Sequence, residues 1–168
     1  MSKNKDNEYL LENVWENKAP ELKNEIIEFW MKHNALPNRE IAQERVRQVF
    51  CIGRDGANHA LAGLGTVYEK YNPQLENSFY YYRSFVAPEH RRSLLATNIL
   101  LHTRDFLENA FIKKDLTKCI GMFMEVENEA LQKLRNQAVW PYSGFVYIGK
   151  NEKGYHLRVY YFKGALIS

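Results

Sequence analysis

The chain has 168 residues, enough for one hydrophobic core, so we expect a single domain over residues 1–168. Hydrophobic residues make up 45% and aromatic residues 14% of the sequence, which excludes intrinsic disorder as its main state. The 23 lysines and arginines against 20 acidic residues leave a net charge of +3, too small a surplus to indicate a nucleic-acid partner.

Membrane spans, secretion signals and metal sites are not indicated either. No apolar run approaches the roughly 20 residues of a membrane span. Residues 1–7 predict a flexible polar tail without the apolar segment of a secretory signal, so we expect a cytoplasmic protein. Cys51 and Cys119 are too few for a disulfide framework or a four-ligand zinc site, and we expect two buried thiols and no metal.

The first third of the chain predicts a strand and two helices. A short strand is expected over residues 8–15. Pro20 then opens a helical pattern that ends before Pro37, because a proline fits the first turn of a helix but not its interior. The apolar face of this helix comprises Leu22, Ile26, Phe29, Trp30 and His33, and His33 is expected to be structural. Residues 38–45 predict a short second helix.

From Arg45 the apolar residues alternate with a period of two, which is typical of strands. One strand is predicted from Arg45 to a turn at residues 54–56. Two more follow over residues 61–71 and 78–86, and together the three strands predict an antiparallel meander.

The second half of the chain returns to mixed elements. A helix is predicted over residues 94–111 and a strand, buried on both faces, over 118–126; with the preceding strand they form a βαβ unit that contains a parallel pair. A helix over 128–138 and a hairpin that ends with a strand over 155–163 complete the order. The residues expected to face the core are Leu95, Ile99, Phe106 and Ala110 in the first helix, with Leu94, Leu101 and Leu107 widening that face, and Ala130, Leu131, Leu134 and Ala138 in the second.

Chemistry is indicated in residues 86–96, which read Val-Ala-Pro-Glu-His-Arg-Arg-Ser-Leu-Leu-Ala. A strand ends there, Arg91 and Arg92 follow, and a helix begins near Ser93. Free N–H groups and a partial positive charge at a helix N-terminus suit a phosphate or pyrophosphate, and two arginines strengthen that attraction. Ser93 fits as the N-cap or as a further donor to the anion. The alternative is that Arg91 and Arg92 belong to a solvated basic loop without a ligand. His90 is expected to be a loop residue beside the anion site rather than a catalyst.

This segment resembles motif A of the GCN5-related N-acetyltransferases, the GNAT superfamily. In that family a strand ending in Val-x-Pro leads into an Arg/Gln-x-x-Gly-x-Gly/Ala loop and a long helix, and the loop amides hold the pyrophosphate of acetyl-CoA. Arg91 matches the first loop position and Ala96 the last, while Leu94 stands where the family usually has glycine. Leucine is tolerated there if the backbone is already helical, and Arg92 is expected to compensate with a charge-assisted bond to phosphate.

The resemblance extends over about residues 8–163, through the order of elements, Asn128 after the buried strand, and Gly144-Phe145. It implies an α/β (α+β) fold with a mixed, mostly antiparallel sheet, a central parallel pair and helices on both faces. It also implies acetyl-CoA as co-substrate. The residues that it implies for acetyl-CoA binding are Phe85, Val86, Arg91, Arg92, Ser93, Leu94, Leu95, Ala96 and Asn128.

The reaction implied by the resemblance is direct transfer of an acetyl group from acetyl-CoA to an amine of unknown identity. The family often uses a glutamate as base through water, and a backbone N–H near Phe85 or Val86 would donate a hydrogen bond to the thioester oxygen. The strand over 78–86 carries no carboxylate. Glu125 is therefore the nearest replacement for the base, and a strand-end surface charge is the alternative.

The usual acid of the family is also replaced. Arg135 stands where a tyrosine commonly protonates the departing thiolate, so Tyr82 or Tyr142 is expected to take the role, with packing aromatics as the alternative. These departures favour a second hypothesis, a catalytically weak or inactive GNAT-like module that binds CoA or a protein partner. A nucleic-acid-binding domain would rest only on the net charge and exposed aromatics. A homodimer through the last strands is a further hypothesis.

Overall fold

A computed structural model describes residues 8–115 and 118–167, so the predicted tail over residues 1–7 lies outside the described residues. The described strands are β1 (Tyr9–Asn13), β2 (Val49–Asp55), β3 (Leu61–Asn72), β4 (Asn77–Val86), β5 (Cys119–Val126), β6 (Val146–Lys150) and β7 (His156–Tyr161). The helices are α1 (Pro20–Lys32), α2 (Arg39–Arg45), α3 (Leu95–Ile112) and α4 (Glu129–Leu134). Short 3-10 turns cover Val46–Gln48 and Pro88–His90.

The strands form a mixed sheet in the order β1-β2-β3-β4-β5-β7-β6. Antiparallel pairing joins β1 to β2, β2 to β3, β5 to β7 and β6 to β7. β4 and β5 pair in parallel. The parallel pair is joined through α3, as a βαβ unit requires. The predicted mixed, mostly antiparallel sheet with one parallel pair is confirmed.

The described residues group into two compact units. The first comprises the residues up to Thr66 and Ser84–Thr103, and the second comprises Val67–Arg83 and the described residues from Arg104 onward. β3, β4 and α3 each contribute to both units. The single domain expected from length stays a prediction.

In the first unit, α1 presents the apolar face that its spacing predicts. Pro20 occupies the first helical turn, and Ile26, Phe29 and Trp30 are buried. α2 begins as predicted because the side chain of Asn38 accepts the N–H of Ile41 at 2.9 Å, a helix N-cap. The core around these helices also contains Val14, Ala42, Val46, Val49, Ile52, Leu64 and Ala87.

A pair of glycines lets α3 approach the sheet of the first unit closely. Gly53 of β2 and Gly63 of β3 lie opposite each other in the register. A Cβ on Gly53 would lie 2.6 Å from Cδ1 of Leu95, and one on Gly63 would lie 3.2 Å from its Cδ2. Leu95, the first residue of α3, is fully buried there. The absence of two side chains therefore positions the N-terminus of α3.

The second unit is built around β5, whose residues 119–123 are buried as predicted for a strand covered on both faces. Tyr81 stacks on Phe123 with ring centroids 4.6 Å apart. Its hydroxyl accepts a hydrogen bond from Asn72 at 3.0 Å, and burial raises the pKa of Tyr81. Within this unit the final hairpin of β6 and β7 is also as predicted.

Three predictions about element limits and faces are wrong. The strand predicted from Arg45 begins at Val49, because Arg45 still belongs to α2 and a 3-10 turn follows. The helix predicted over 128–138 ends at Leu134, whose side chain is 80% exposed, and Ala130 and Ala138 are exposed as well. Phe106 is 46% exposed and Leu94 is 70% exposed, whereas Leu107 of the same predicted face is buried.

The early end of α4 has a visible cause in buried Arg158, which is only 1% exposed. Its Nη2 donates to the carbonyl of Arg135 at 3.2 Å, and the Trp140 indole N–H donates to the same carbonyl at 2.9 Å. The Arg158 guanidinium also lies 4.3 Å from the Trp140 ring centroid. These contacts draw the chain after Leu134 away from the helix.

No helix in the described ranges is both long and apolar enough to cross a membrane. Cys51 and Cys119 are fully buried and free, as predicted. Burial raises the pKa of both thiols to about 12.

The glycine pair generates a stability prediction. Gly53→Ala should lower the free energy of unfolding by about 1–3 kcal/mol, because the new methyl group overlaps Leu95. Leu95→Ala should cost about 2–5 kcal/mol through the cavity it leaves. The double variant should cost clearly less than the sum, since each change relieves the other's defect. Urea denaturation measures all three, and additive costs would contradict the proposed contact.

Candidate functional site

The site indicated by the sequence lies where β4 leads into α3, within the first unit. The end of β4 is fixed because Ala87 donates its N–H to the carbonyl of Ala62 at 2.9 Å. Pro88 then opens a 3-10 turn that ends at His90. Residues 91–94, here called the basic loop, connect that turn to α3 at Leu95.

Ser93 organises the backbone of the basic loop. Its hydroxyl donates to the carbonyl of His90 at 2.6 Å and accepts the N–H of Leu95 at 3.2 Å. The second contact is a local serine turn just before α3, and it satisfies the N–H of Leu95, the first residue of the helix. The N-cap position belongs to Leu94, whose carbonyl accepts the first helical N–H, so the N-cap role predicted for Ser93 is wrong. Its expected role as a donor to an anion stays a prediction.

Leu94 occupies the position where the resemblance expects glycine. Its φ is not positive, and its carbonyl accepts the N–H of Asn98 at 2.9 Å in the first turn of the helix. The backbone is therefore in a conformation that leucine adopts without strain. The side chain is 70% exposed and points away from the core that holds Leu95.

The two arginines of the basic loop differ in their surroundings. Arg91 donates through Nε to the carbonyl of Val86 at 3.0 Å, and its guanidinium lies 5.6 Å from the centroid of the Phe85 ring. Phe85 in turn packs edge-to-face on Phe29 of α1 at 5.6 Å. Both arginines are exposed to solvent, and the contacts of Arg91 stabilise the loop against β4.

The donors of this region fit an anion. The N–H groups in the first turn of α3, including that of Ala96, have no carbonyl partner in a preceding turn, and they add to the positive end of the helix dipole. Arg92 contributes a full positive charge beside them. This donor set suits phosphate or pyrophosphate.

His90 is held more firmly than a loop residue, which the sequence did not indicate. The hydroxyl of Tyr9 lies 2.8 Å from Nδ1 of His90, and Asp55 Oδ2 lies 4.0 Å from Nε2. Glu89 precedes His90 in the 3-10 turn. A hydrogen bond from the backbone of Glu89 lowers the pKa of its carboxyl, and electrostatic interactions with His33, His90 and Lys32 lower this pKa further. The sequence feature that could have pointed to these contacts of His90 is its place inside the Glu-His-Arg-Arg run.

The remaining predicted residues lie in the second unit. Glu125 is exposed on β5 opposite Leu157 of β7. Tyr82 is buried, with 4% exposure, whereas Tyr142 is 77% exposed. The side chain of Asn128 accepts the N–H of Leu131 at 3.1 Å and caps α4. The catalytic roles expected for these residues and the acetyl-CoA contact expected for Asn128 stay predictions.

The Ser93 contacts generate a second prediction. Ser93→Ala should lower the free energy of unfolding by about 1 kcal/mol, because the bonds of the hydroxyl to the Leu95 N–H and to the His90 carbonyl are both lost. Ser84→Ala, at an exposed position of β4, is the matched control and should change it by less than about 0.5 kcal/mol. Chemical denaturation measures both changes, and equal losses in both variants would refute a stabilising role of the Ser93 hydroxyl.

Known proteins match this chain in structure but not in sequence. No protein-family model matches the chain, and no curated protein matches it in sequence. A GNAT-family acetyltransferase from Streptococcus pneumoniae superposes with a TM-score of 0.61 at 11% identity over 92% of this chain and 99% of that one. Arabidopsis thaliana NAA60 in complex with acetyl-CoA gives 0.59 at 13% identity over 94% and 100%. Ribosomal-protein-S5-alanine acetyltransferase from Vibrio fischeri gives 0.59 at 13% identity over 93% and 94%. The chain therefore has the fold of the GNAT acetyltransferases.

Proposed function

We propose that the chain is a GNAT enzyme, an acyl-CoA-dependent N-acyltransferase that moves an acetyl group from acetyl-CoA to an amine. The observation that carries the proposal is the basic loop at the N-terminus of α3, in a chain with the GNAT fold. The similarity in fold to NAA60, solved with acetyl-CoA, supports the choice of co-substrate. The amine, homodimerisation and a cytoplasmic location stay predictions.

Acetyl-CoA would supply an acetyl group activated as a thioester, attached to an anionic pyrophosphate. In this proposal the first N–H groups of α3 and the guanidinium of Arg92 hold the pyrophosphate. Arg91 acts through the geometry of the loop, because its Nε is bonded to the carbonyl of Val86. The further contacts proposed from the resemblance are Phe85, Leu94, Leu95, Ala96 and Asn128.

Proton handling is assigned to Glu125 and to one of two tyrosines. An amine must lose its proton before it attacks a carbonyl carbon, and the exposed carboxylate of Glu125 can accept that proton through water. The departing thiolate needs a proton, and a phenol supplies one because its pKa of about 10 lies near that of a thiol. Tyr82 and Tyr142 are the two candidates for this acid.

Binding gives the first test of the function. Acetyl-CoA should raise the melting temperature of the wild type, since a ligand that binds only the folded state stabilises it. Arg92→Ala should weaken binding about tenfold through loss of a charge-assisted bond, as measured by calorimetry. Arg47→Ala, an exposed arginine at another place in the first unit, is the control and should bind like the wild type. No thermal shift with acetyl-CoA, CoA or longer acyl-CoAs would refute the proposed function.

Catalysis gives the second test, by release of the CoA thiol with a panel of amines. Glu125→Gln should lower kcat about a hundredfold or more with little change in the KM for acetyl-CoA, because only proton transfer is affected. The gap should narrow at high pH, where more of the amine is already neutral. Tyr82→Phe and Tyr142→Phe identify the acid by which of them lowers kcat. Binding without turnover of any amine would instead favour the CoA-binding module.

A further inference from the structure

The ring of His90 lies between two polar partners that belong to the start of the sheet. The Tyr9 hydroxyl is 2.8 Å from Nδ1, and the two rings meet edge-on with centroids 5.5 Å apart. On the other side, Asp55 Oδ2 is 4.0 Å from Nε2. The side chains of His90 and Asp55 are only 13% and 10% exposed. Both ring nitrogens of this largely buried histidine, the last residue of the 3-10 turn, therefore face defined groups.

These partners are themselves fixed. Tyr9 and Asp55 are paired residues of β1 and β2. The other carboxylate oxygen of Asp55 accepts the N–H of Ala57 at 2.8 Å, and the backbone N–H of Asp55 donates to the carbonyl of Ala60 at 2.9 Å. The Tyr9–Asp55 pair is thus a rigid support for the imidazole ring.

The backbone carbonyl of His90 connects the supported ring to the basic loop. Its carbonyl accepts both the hydroxyl of Ser93 at 2.6 Å and the Ser93 N–H at 3.2 Å. The same Ser93 hydroxyl accepts the N–H of Leu95, the first residue of α3. A continuous set of contacts therefore runs from the β1–β2 pair through His90 to the helix N-terminus.

We propose that His90 is a positioning residue for acyl-CoA binding: Tyr9 and Asp55 fix its ring, and its carbonyl holds the basic loop in the conformation that receives the anion. This inference rests on the proposed function. His90 itself has no contact with the co-substrate in this scheme. Its removal should therefore weaken binding of CoA while leaving the fold and the chemical step intact.

Substitutions that separate the ring's volume from its polar contacts test this role. His90→Phe keeps an aromatic ring but removes both nitrogens, and it should weaken binding of CoA about tenfold, as calorimetry measures. His90→Asn places an amide oxygen near the position of Nδ1, where it can accept the Tyr9 hydroxyl, and should stay within about threefold of the wild type. Rescue by asparagine separates a polar positioning role from ring packing.

Tyr9→Phe tests the same contact from the other side and removes only one oxygen atom. It should weaken CoA binding about threefold to tenfold, and Tyr9→Phe combined with His90→Phe should be no weaker than His90→Phe alone, because both changes break one interaction. Tyr71→Phe, which removes the hydroxyl of an exposed tyrosine, is the matched control and should bind like the wild type. The KM for acetyl-CoA should rise in Tyr9→Phe and His90→Phe while kcat stays unchanged.

The outcomes discriminate clearly. Wild-type affinity for CoA in His90→Phe and Tyr9→Phe would overturn the positioning role and leave the proposed function standing. Equal weakening in His90→Phe and His90→Asn, with an equal fall in the melting temperature of the unliganded protein, would also overturn it, since that is the result of general destabilisation. Absence of CoA binding in the wild type would overturn both the proposed function and this inference.

Discussion

The contact of Leu95 with the glycine pair determines where the N-terminus of α3 lies. A helix packed on a sheet is normally held away from it by the side chains between them. Gly53 and Gly63 face each other across β2 and β3, and the space above them is filled by the side chain of Leu95. The free N–H groups of α3, and the loop that leads into them, therefore have a defined position before any polar contact is considered.

The polar contacts then fix the conformation of the loop. Ser93 links the His90 carbonyl to the N–H of Leu95, and Arg91 links the loop to the carbonyl of Val86. The Ser93 hydroxyl and the Nε–H of Arg91 donate within the protein. The positive end of the α3 dipole and the exposed residues Arg91 and Arg92 lie at this loop. If the loop binds an anion as proposed, contacts that fix it beforehand lower the entropic cost of binding.

Sequence patterns predicted the elements whose limits depend on local spacing. The apolar face of α1, the buried run of β5 and the final hairpin follow from periodicity and turn residues alone. α4 was predicted too long because its end depends on Arg158, which lies more than twenty residues later in the chain and takes the Arg135 carbonyl. The basic loop was predicted from its residue types. The different contacts of Arg91 and Arg92 were not, because those of Arg91 depend on the Val86 carbonyl and the Phe85 ring, which the fold brings near it.

The positions of the glycines in the structure explain why a leucine is tolerated at position 94. In the resembling family, glycine in the loop permits close approach of a ligand to the backbone. Here the backbone at Leu94 needs no glycine, since its φ is not positive, and its side chain points to solvent. The close approach that does require glycine occurs one residue later, under Leu95. A leucine at this position is therefore compatible with the placement of α3, and in the proposed function its exposed side chain would share the space of the bound anion.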